Sequence, residues 1–221
     1  MILSTEAEAE DWLRKTFDDV PRETWERLEC FQAFLRDESG KQNLVSTPTL
    51  ANFHLRHVAD SAQLIEQATG PSQRWLDLGS GAGFPGLIVA LFSRHHVTLV
   101  ESRRLRVDFL SRATELLGLG TRVEIKGASL ERVPPSPFDV ISARAFAPLP
   151  RLLDLAHSFS TEKSRWVLPK GRSAQSELEQ VRDAWQGDFR LVASLTDPNA
   201  RIIIAEGVAR RAAPARQRSR T

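Results

Sequence analysis

Trp75-Leu76-Asp77-Leu78-Gly79-Ser80-Gly81-Ala82-Gly83-Phe84-Pro85-Gly86 decides the fold. A short apolar run carrying one acid gives way to glycines at alternate positions, and an apolar stretch, 86–93, follows at once. A glycine-dense turn between a strand and a helix is where open α/β sheets bind ligands, beyond the carboxyl ends of their strands. Glycine lets the backbone bend sharply and lets a ligand lie against it where a Cβ would stand in the way. Pro85 suits the first turn of the helix that follows, because the amide it lacks has no partner there.

Downstream of this loop, apolar runs at 97–101, 122–126, 138–143, 165–168, 190–194 and 201–205 read as strands. Helical patterns at 103–117, 150–157 and 173–185 lie between most of them, and Leu105, Phe109, Ala113 and Leu116 mark the inner face of the first. Strands alternating with helices build a parallel sheet covered on both faces. The last two runs are joined only by 195–200, with Asp197-Pro198-Asn199, too short for a parallel crossover. The last strand is therefore expected antiparallel.

Upstream, the first seventy residues read as helices. Trp25, Leu28, Phe31 and Leu35 recur at helical spacing, as do Leu50, Phe53, His57, Ser61, Leu64 and Ala68. Thr47-Pro48 reads as N-cap and first turn of the second run, and Asp37-Glu38-Ser39-Gly40 marks the break between the two. The expected division is a helical cap at 1–70, an α/β core at 71–207 and a basic tail at 208–221.

The chain has 221 residues, 41% hydrophobic and 26% charged, which excludes a wholly disordered protein. No apolar run approaches the roughly 18 residues of a membrane span, and Glu6, Glu8, Glu10 and Asp11 invert the charge of a signal peptide. The single Cys30 allows neither an internal disulfide nor a cysteine zinc site, so a cytoplasmic location is expected. Its neighbours Leu28 and Phe31 suggest a buried structural thiol. Residues 1–73 carry 7 Lys/Arg against 13 Asp/Glu, and residues 74–221 carry 23 against 15, so the second part is the one suited to a polyanion. Five of those cations, Arg210, Arg211, Arg216, Arg218 and Arg220, lie in the tail, which reads equally as a solvated terminus. His54, His57 and Asp60 stand at three-residue steps that drift around a helix, so no metal site is expected.

Gly81-x-Gly83-x-x-Gly86 formally matches the dinucleotide fingerprint, and Glu101, twenty residues on, could hold a ribose in either class of ligand. Two features favour S-adenosyl-L-methionine (AdoMet) over NAD. Asp77 would repel a diphosphate but favour an ammonium and a sulfonium, and Phe84-Pro85 removes an amide that a phosphate would use. Glu101 at the end of its strand would accept from both ribose hydroxyls.

The stretch 77–86 resembles the motif of Rossmann-like class I methyltransferases, and in detail that of bacterial 16S ribosomal RNA guanine-N7 methyltransferases (RsmG or GidB). Asn43-Leu44-Val45-Ser46, Arg56-His57-Val58-Ala59-Asp60-Ser61, Phe138-Asp139 through Arg144-Ala145-Phe146, and Lys170-Gly171 extend the resemblance over residues 43 to 171. It implies an α/β Rossmann-like sheet, AdoMet as cofactor, and 16S rRNA or a small-subunit particle as the partner of a monomer. Cofactor contacts are implied at Gly79, Phe84, Leu130, Glu131 and Arg144, beside Asp77, Gly81, Gly83 and Glu101 of the loop reading. The substrate side is assigned to Phe146, Lys170 and His57, with Arg56-His57 and Asp60-Ser61 packing the cap on the cofactor site. Glu38, Ser39 and Gln42 depart from the family pattern, all within the cap.

Guanine N7 has a free lone pair at neutral pH, so its methylation needs no general base, only alignment. Accordingly the segment after the fourth strand, Ser142-Ala143-Arg144-Ala145-Phe146, has neither an Asn/Asp-Pro-Pro-aromatic tetrad nor a cysteine nucleophile. Arg144 is read as ordering the cofactor pocket or a phosphate and Phe146 as stacking on the base; a surface arginine and a core phenylalanine are the alternatives. Lys170 is either a phosphate contact or a solvated lysine. Arg103, Arg104, Arg106, Arg172 and the tail are candidates for a basic rim. Methylation of a small molecule or protein, and a non-catalytic nucleotide-binding module, are the alternative functions.

Overall fold

The computed structural model describes residues 1–68 and 70–212. The glycine loop joins β1 (Arg74–Leu78) to α5 (Gly86–Phe92), and β2 (His96–Val100), α6 (Arg104–Leu116), β3 (Val123–Lys126) and β4 (Val140–Ala143) follow. The chain continues through α7 (Leu149–Ala156), β5 (Arg165–Lys170), α8 (Ala174–Val181), β6 (Trp185–Ala193) and β7 (Arg201–Arg210). The seven strands form one sheet in the order β3-β2-β1-β4-β5-β7-β6, with β7 antiparallel to both neighbours and the pairs among β1 to β5 parallel. The strand order reverses between β1 and β4, which opens a crevice beyond their carboxyl ends.

Strand alternation sorts the core into two clusters. Trp75, Val97, Leu99, Val140, Val167 and Ile204 face α5, α6 and the N-terminal helices. Leu76, Leu78, Ile141, Trp166, Leu168 and Ile203 face α7 and α8. The helices before β1 therefore share their apolar interior with one sheet face. These are α1 (Glu6–Thr16), α2 (Arg22–Ser39), α3 (Thr47–Leu50) and α4 (Asp60–Ala62). Phe34 stacks on Phe109 at 5.1 Å, and Glu38, only 4% exposed, bonds Arg112 at 2.6 Å and Lys41 at 2.9 Å. Those two cations hold the Glu38 carboxyl down at about 2, against the opposing effect of burial.

Several sequence expectations require correction. The helix implied from Leu50 to Ala68 is broken into α3, a π-helical turn at His54–Ala59, α4 and a 3-10 turn at Ile65–Gln67. Glu6 of α1 accepts from the amides of His54 at 2.6 Å and Leu55 at 3.0 Å, taking the donors that would have continued α3. Ser46, rather than Thr47, stands at the N-cap of α3. Cys30 is exposed, one residue off the buried stripe of Leu28, Phe31 and Leu35. On α6 the buried face is Phe109, Leu110 and Ala113, rotated from the expected one, so Leu105 and Leu116 are 66% and 38% exposed. The helix expected over 173–185 ends at Val181, and Trp185 opens β6 because β7 runs on to Arg210 and pairs with it. Arg210 lies over the Trp185 ring and Arg211 donates to Arg182 O, so neither is a free tail cation. Arg216, Arg218 and Arg220 lie outside the described residues.

Candidate active site

Two cavities flank the turn after β4. The smaller, about 330 Å³, is lined by Gly79, Glu101, Leu130, Glu131 and Phe146 among others. The larger, about 560 Å³, includes Arg56, Asp60, Arg144, Phe146 and Lys170 in its wall. Ala145, Phe146 and Ala147 line both. Ala145 has φ +52, a left-handed conformation that costs a non-glycine residue about 1–2 kcal/mol. Nothing in the sequence around Ala145 signals this turn.

The loop is shaped for close approach. Gly79 has φ +66, and a Cβ there would stand 2.6 Å from Phe146 Cδ2, so Phe146 rests directly on the glycine backbone. Glu101 closes the floor. It is 5% exposed, with Oε2 accepting from the Gly81 amide at 3.1 Å and Oε1 accepting from those of Ser102 and Arg103, each at 2.8 Å. Arg106 Nη1 stands 3.7 Å from Oε2. A carboxylate offers about four acceptor sites, so this geometry leaves Glu101 room on Oε2 for one hydroxyl, where two had been expected. Leu130 and Glu131 arrive on the 3-10 turn Leu130–Arg132 after β3. This lining fits a ligand with ribose hydroxyls for Glu101 and a flat aromatic ring beside Leu130, and AdoMet has both; Glu101, Leu130 and Glu131 would hold it.

Asp77 differs from expectation. It shares a sheet face with Trp75, so its side chain points toward α5 and is fully buried. The Trp75 indole N–H donates to Ser142 Oγ at 2.8 Å, Ser142 donates to Asp77 Oδ1 at 2.7 Å, and the Gly86 amide donates to Oδ2 at 3.3 Å. Asp77 therefore fastens the start of α5 and carries its charge beneath the loop instead of lining the crevice. Ser142 is a partner the sequence reading did not single out, although it lies on the same face of β4.

Burial pushes the Asp77 carboxyl up to about 6, against hydrogen bonds from Ser142 and Gly86 and the nearby Arg144 charge. The fold thus favours the protonated acid; its contribution is whole below pH 3.8 and lost as pH rises through about 6. In chemical unfolding from pH 4 to 7, Asp77→Asn is expected to gain about 3 kcal/mol on the wild type. A difference that does not change with pH would refute the assignment.

Phe84, Gly83 and His57 line neither cavity. Phe84 is 3% exposed, packed on Phe31 and stacked with His57 at 4.8 Å, and the Arg144 guanidinium stands 5.2 Å from its ring. His57 is 4% exposed, with no partner for either ring nitrogen among the described residues, a burial that fits the cap packing implied by the resemblance and not the substrate contact. Burial first, then the charges of Arg144 and Arg56, lower its pKa to about 3. The neutral ring is the form the fold favours, so this contribution is whole above pH 6.5 and lost as pH falls toward 3. His57→Phe is expected to raise stability at pH 7 by about 1–2 kcal/mol and to reduce the acid-side loss in thermal unfolding. A variant that unfolds in acid as the wild type does would contradict this.

Arg144 reaches the cap, donating to Asp60 Oδ2 at 3.3 Å and Arg56 O at 3.5 Å. Lys170 is 11% exposed at its side chain and donates to Glu177 Oε2 at 2.8 Å and Ala147 O at 3.0 Å. It props the 145–147 turn instead of offering a free cation to phosphate. Glu177 is a partner seven residues away that spacing alone did not reveal. Arg103, Arg104 and Arg172 are exposed and Arg106 is half-buried.

Comparison with known proteins agrees with this geometry. The model of the family described as GidB, rRNA small subunit methyltransferase G, matches residues 24–200. A ribosomal RNA small subunit methyltransferase G of Rhizorhabdus wittichii is 53% identical, covering 92% of this chain and 94% of that protein. One from Zymomonas mobilis is 48% identical, covering 91% and 93%. Among solved structures, a putative AdoMet-dependent methyltransferase of Methanococcus maripaludis superposes with a TM-score of 0.56 at 12% identity, covering 77% of this chain and 90% of that one. M. jannaschii TYW2 in complex with AdoMet gives a TM-score of 0.54 at 12% identity, covering 71% and 76%. The sheet and its crevice are thus those of the AdoMet-dependent methyltransferase fold, and the chain belongs to the rRNA small subunit methyltransferase G family.

Proposed function

We propose that this chain transfers a methyl group from AdoMet to N7 of a guanine in 16S rRNA. The observation that supports this reading is the pair of cavities meeting at Ala145-Phe146-Ala147, one lined by Gly79, Glu101 and Leu130 among others and the other by Arg56, Asp60, Arg144 and Arg201 among others. AdoMet, when bound, would supply a methyl carbon on a sulfonium, open to in-line attack by the N7 lone pair, with the N–CH3 bond forming as the S–CH3 bond breaks and S-adenosylhomocysteine leaving. The chain itself binds and orients. Glu101, with Leu130 beside it, would take the ribose and adenine end, while the bare Gly79 backbone seats Phe146 at the edge of the same cavity. The buried charge of Asp77 favours a cationic ligand from below.

N7 needs no proton removed, so positioning supplies most of the acceleration, up to about 7–11 kcal/mol in well-aligned reactions. Phe146, which lines both cavities, would stack on a base. Around the larger cavity Arg144 and Lys170 are paired with Asp60 and Glu177, and Arg56 stands 3.9 Å from Asp197, so a polyanion would be met by Arg201 and by the exposed Arg103, Arg104 and Arg172. The names of the relatives, which specify ribosomal RNA, support the same substrate. The same reading has the enzyme act as a monomer in the cytoplasm; among the described residues no helix is long and apolar enough to cross a membrane.

The test is methyl transfer from labelled AdoMet to 16S rRNA or small-subunit particles from cells lacking the protein. Label is expected in 7-methylguanosine after digestion, with RNA affinity falling steeply as salt rises. Label at another atom, or RNA binding indifferent to salt, would overturn the proposal.

A further inference from the structure

The larger cavity contains a carboxylate for which the reading above has no task. Asp60 lies in its wall with a side chain 23% exposed. Its Oδ1 accepts from Thr196 Oγ1 at 2.7 Å and from Gln63 Nε2 at 3.2 Å, while among the described residues Oδ2 meets only Arg144 Nη1, at 3.3 Å. Thr196 follows β6 and Arg144 follows β4, so the acid of α4 is fixed from two other parts of the chain. The Gln63 amide is shared with Asp60 O at 3.1 Å and Ser194 Oγ at 3.3 Å, so it gives up its place on Oδ1 at little cost. With about four acceptor sites on a carboxylate, each oxygen can then take one further donor from the cavity side.

Resting on the reading just given, we propose that Asp60 selects guanine by accepting from N1–H and the 2-amino group of the target base. Two adjacent donors on one edge match the two oxygens of a carboxylate. Adenine presents an acceptor at N1 beside its 6-amino group, and uracil flanks its single N–H with two carbonyls, so neither offers the acid two adjacent donors. N7 lies on the edge of the purine opposite N1 and the 2-amino group. A guanine held at Asp60 therefore turns N7 away from α4, across the cavity whose wall includes Phe146, and Phe146 also lines the cavity of Gly79 and Glu101. Arg144, bound to Asp60 and beside Phe84, links this reading site to the glycine loop. Asp60 thus touches the substrate and sets specificity without taking part in bond making.

The experiment compares single-turnover methylation of RNA carrying guanosine or inosine at the modified position, inosine lacking only the 2-amino group. The wild type is expected to be about 10- to 100-fold slower on inosine, the loss for one hydrogen bond to a charged group. Asp60→Ala is expected to be slowed on guanosine by at least as much and to treat the two RNAs alike within about 2-fold, with AdoMet affinity retained. A wild type equally fast on both RNAs overturns the proposal, and that comparison needs no variant. So does an Asp60→Ala enzyme that keeps the full inosine penalty. A wild type inactive on the guanosine RNA overturns instead the methyl-transfer reading beneath it.

Discussion

Gly83→Ala is expected to cost about 2–4 kcal/mol of folding stability and to weaken AdoMet binding at least tenfold. Gly83 has φ +87, and a Cβ built there would stand 2.3 Å from Leu87 Cδ1, 2.7 Å from its Cγ and 3.4 Å from Leu110 Cδ2. Leu87 is fully buried beneath the N-terminal helices and has nowhere to swing. The strain of a left-handed alanine and the overpacking add to one another. Gly83 also donates its amide to Ser80 O at 2.7 Å and accepts from Leu87 N at 2.8 Å, so relief by backbone movement would open the first turn of α5. Because the same turn sets the course of Gly79 to Gly81, cofactor binding falls with stability. Urea unfolding and calorimetric titration check both effects; a variant of unchanged stability would show that the loop is not packed as described.

Glu101→Ala is expected to weaken AdoMet binding by about 100-fold or more, roughly 3 kcal/mol. The carboxylate accepts from three backbone amides at 2.8–3.1 Å, and hydrogen bonds to a charged group contribute about 1.5–3 kcal/mol each. Removing it frees the Gly81 amide at the crest of the loop and unties the entry to α6, besides deleting the ribose acceptor. Glu101→Gln keeps the shape but replaces one acceptor oxygen by a donor facing an amide, so it should rescue little. Arg106→Ala, which loses only a contact at 3.7 Å, should weaken binding far less. Equal losses in Glu101→Ala and Arg106→Ala would contradict the division of roles.

What the sequence revealed and what it hid follow from the range of the interactions. Strands were legible because apolar runs and turn residues are local, and the short 195–200 link forced the antiparallel last pair that the sheet contains. The break after α3 was not legible, since its cause is Glu6, forty-eight residues away from His54. Glycines 79, 81 and 83, with φ of +66, +56 and +87, adopt the backbone that their spacing suggested. The direction of Asp77 was available in principle: period-two alternation puts it with Trp75, on the face away from Leu76 and Leu78. Burial of Lys170 against Glu177 and the left-handed Ala145 had no such signal, because each is imposed by packing between elements. Asp60 stood within a resemblance but acquired a chemical task only when Thr196, Gln63 and Arg144 were seen around it.

Methyl transfer by this chain requires a nucleoside cofactor seated between the glycine loop and the turn after β3. A crystal structure with S-adenosylhomocysteine tests it directly. The predicted result is a ribose hydroxyl within hydrogen-bond distance of Glu101 Oε2, adenine against Leu130, and the amino-acid end passing Gly79 toward Phe146. Density for the ligand in another part of the molecule, or a ribose turned away from Glu101, would contradict it.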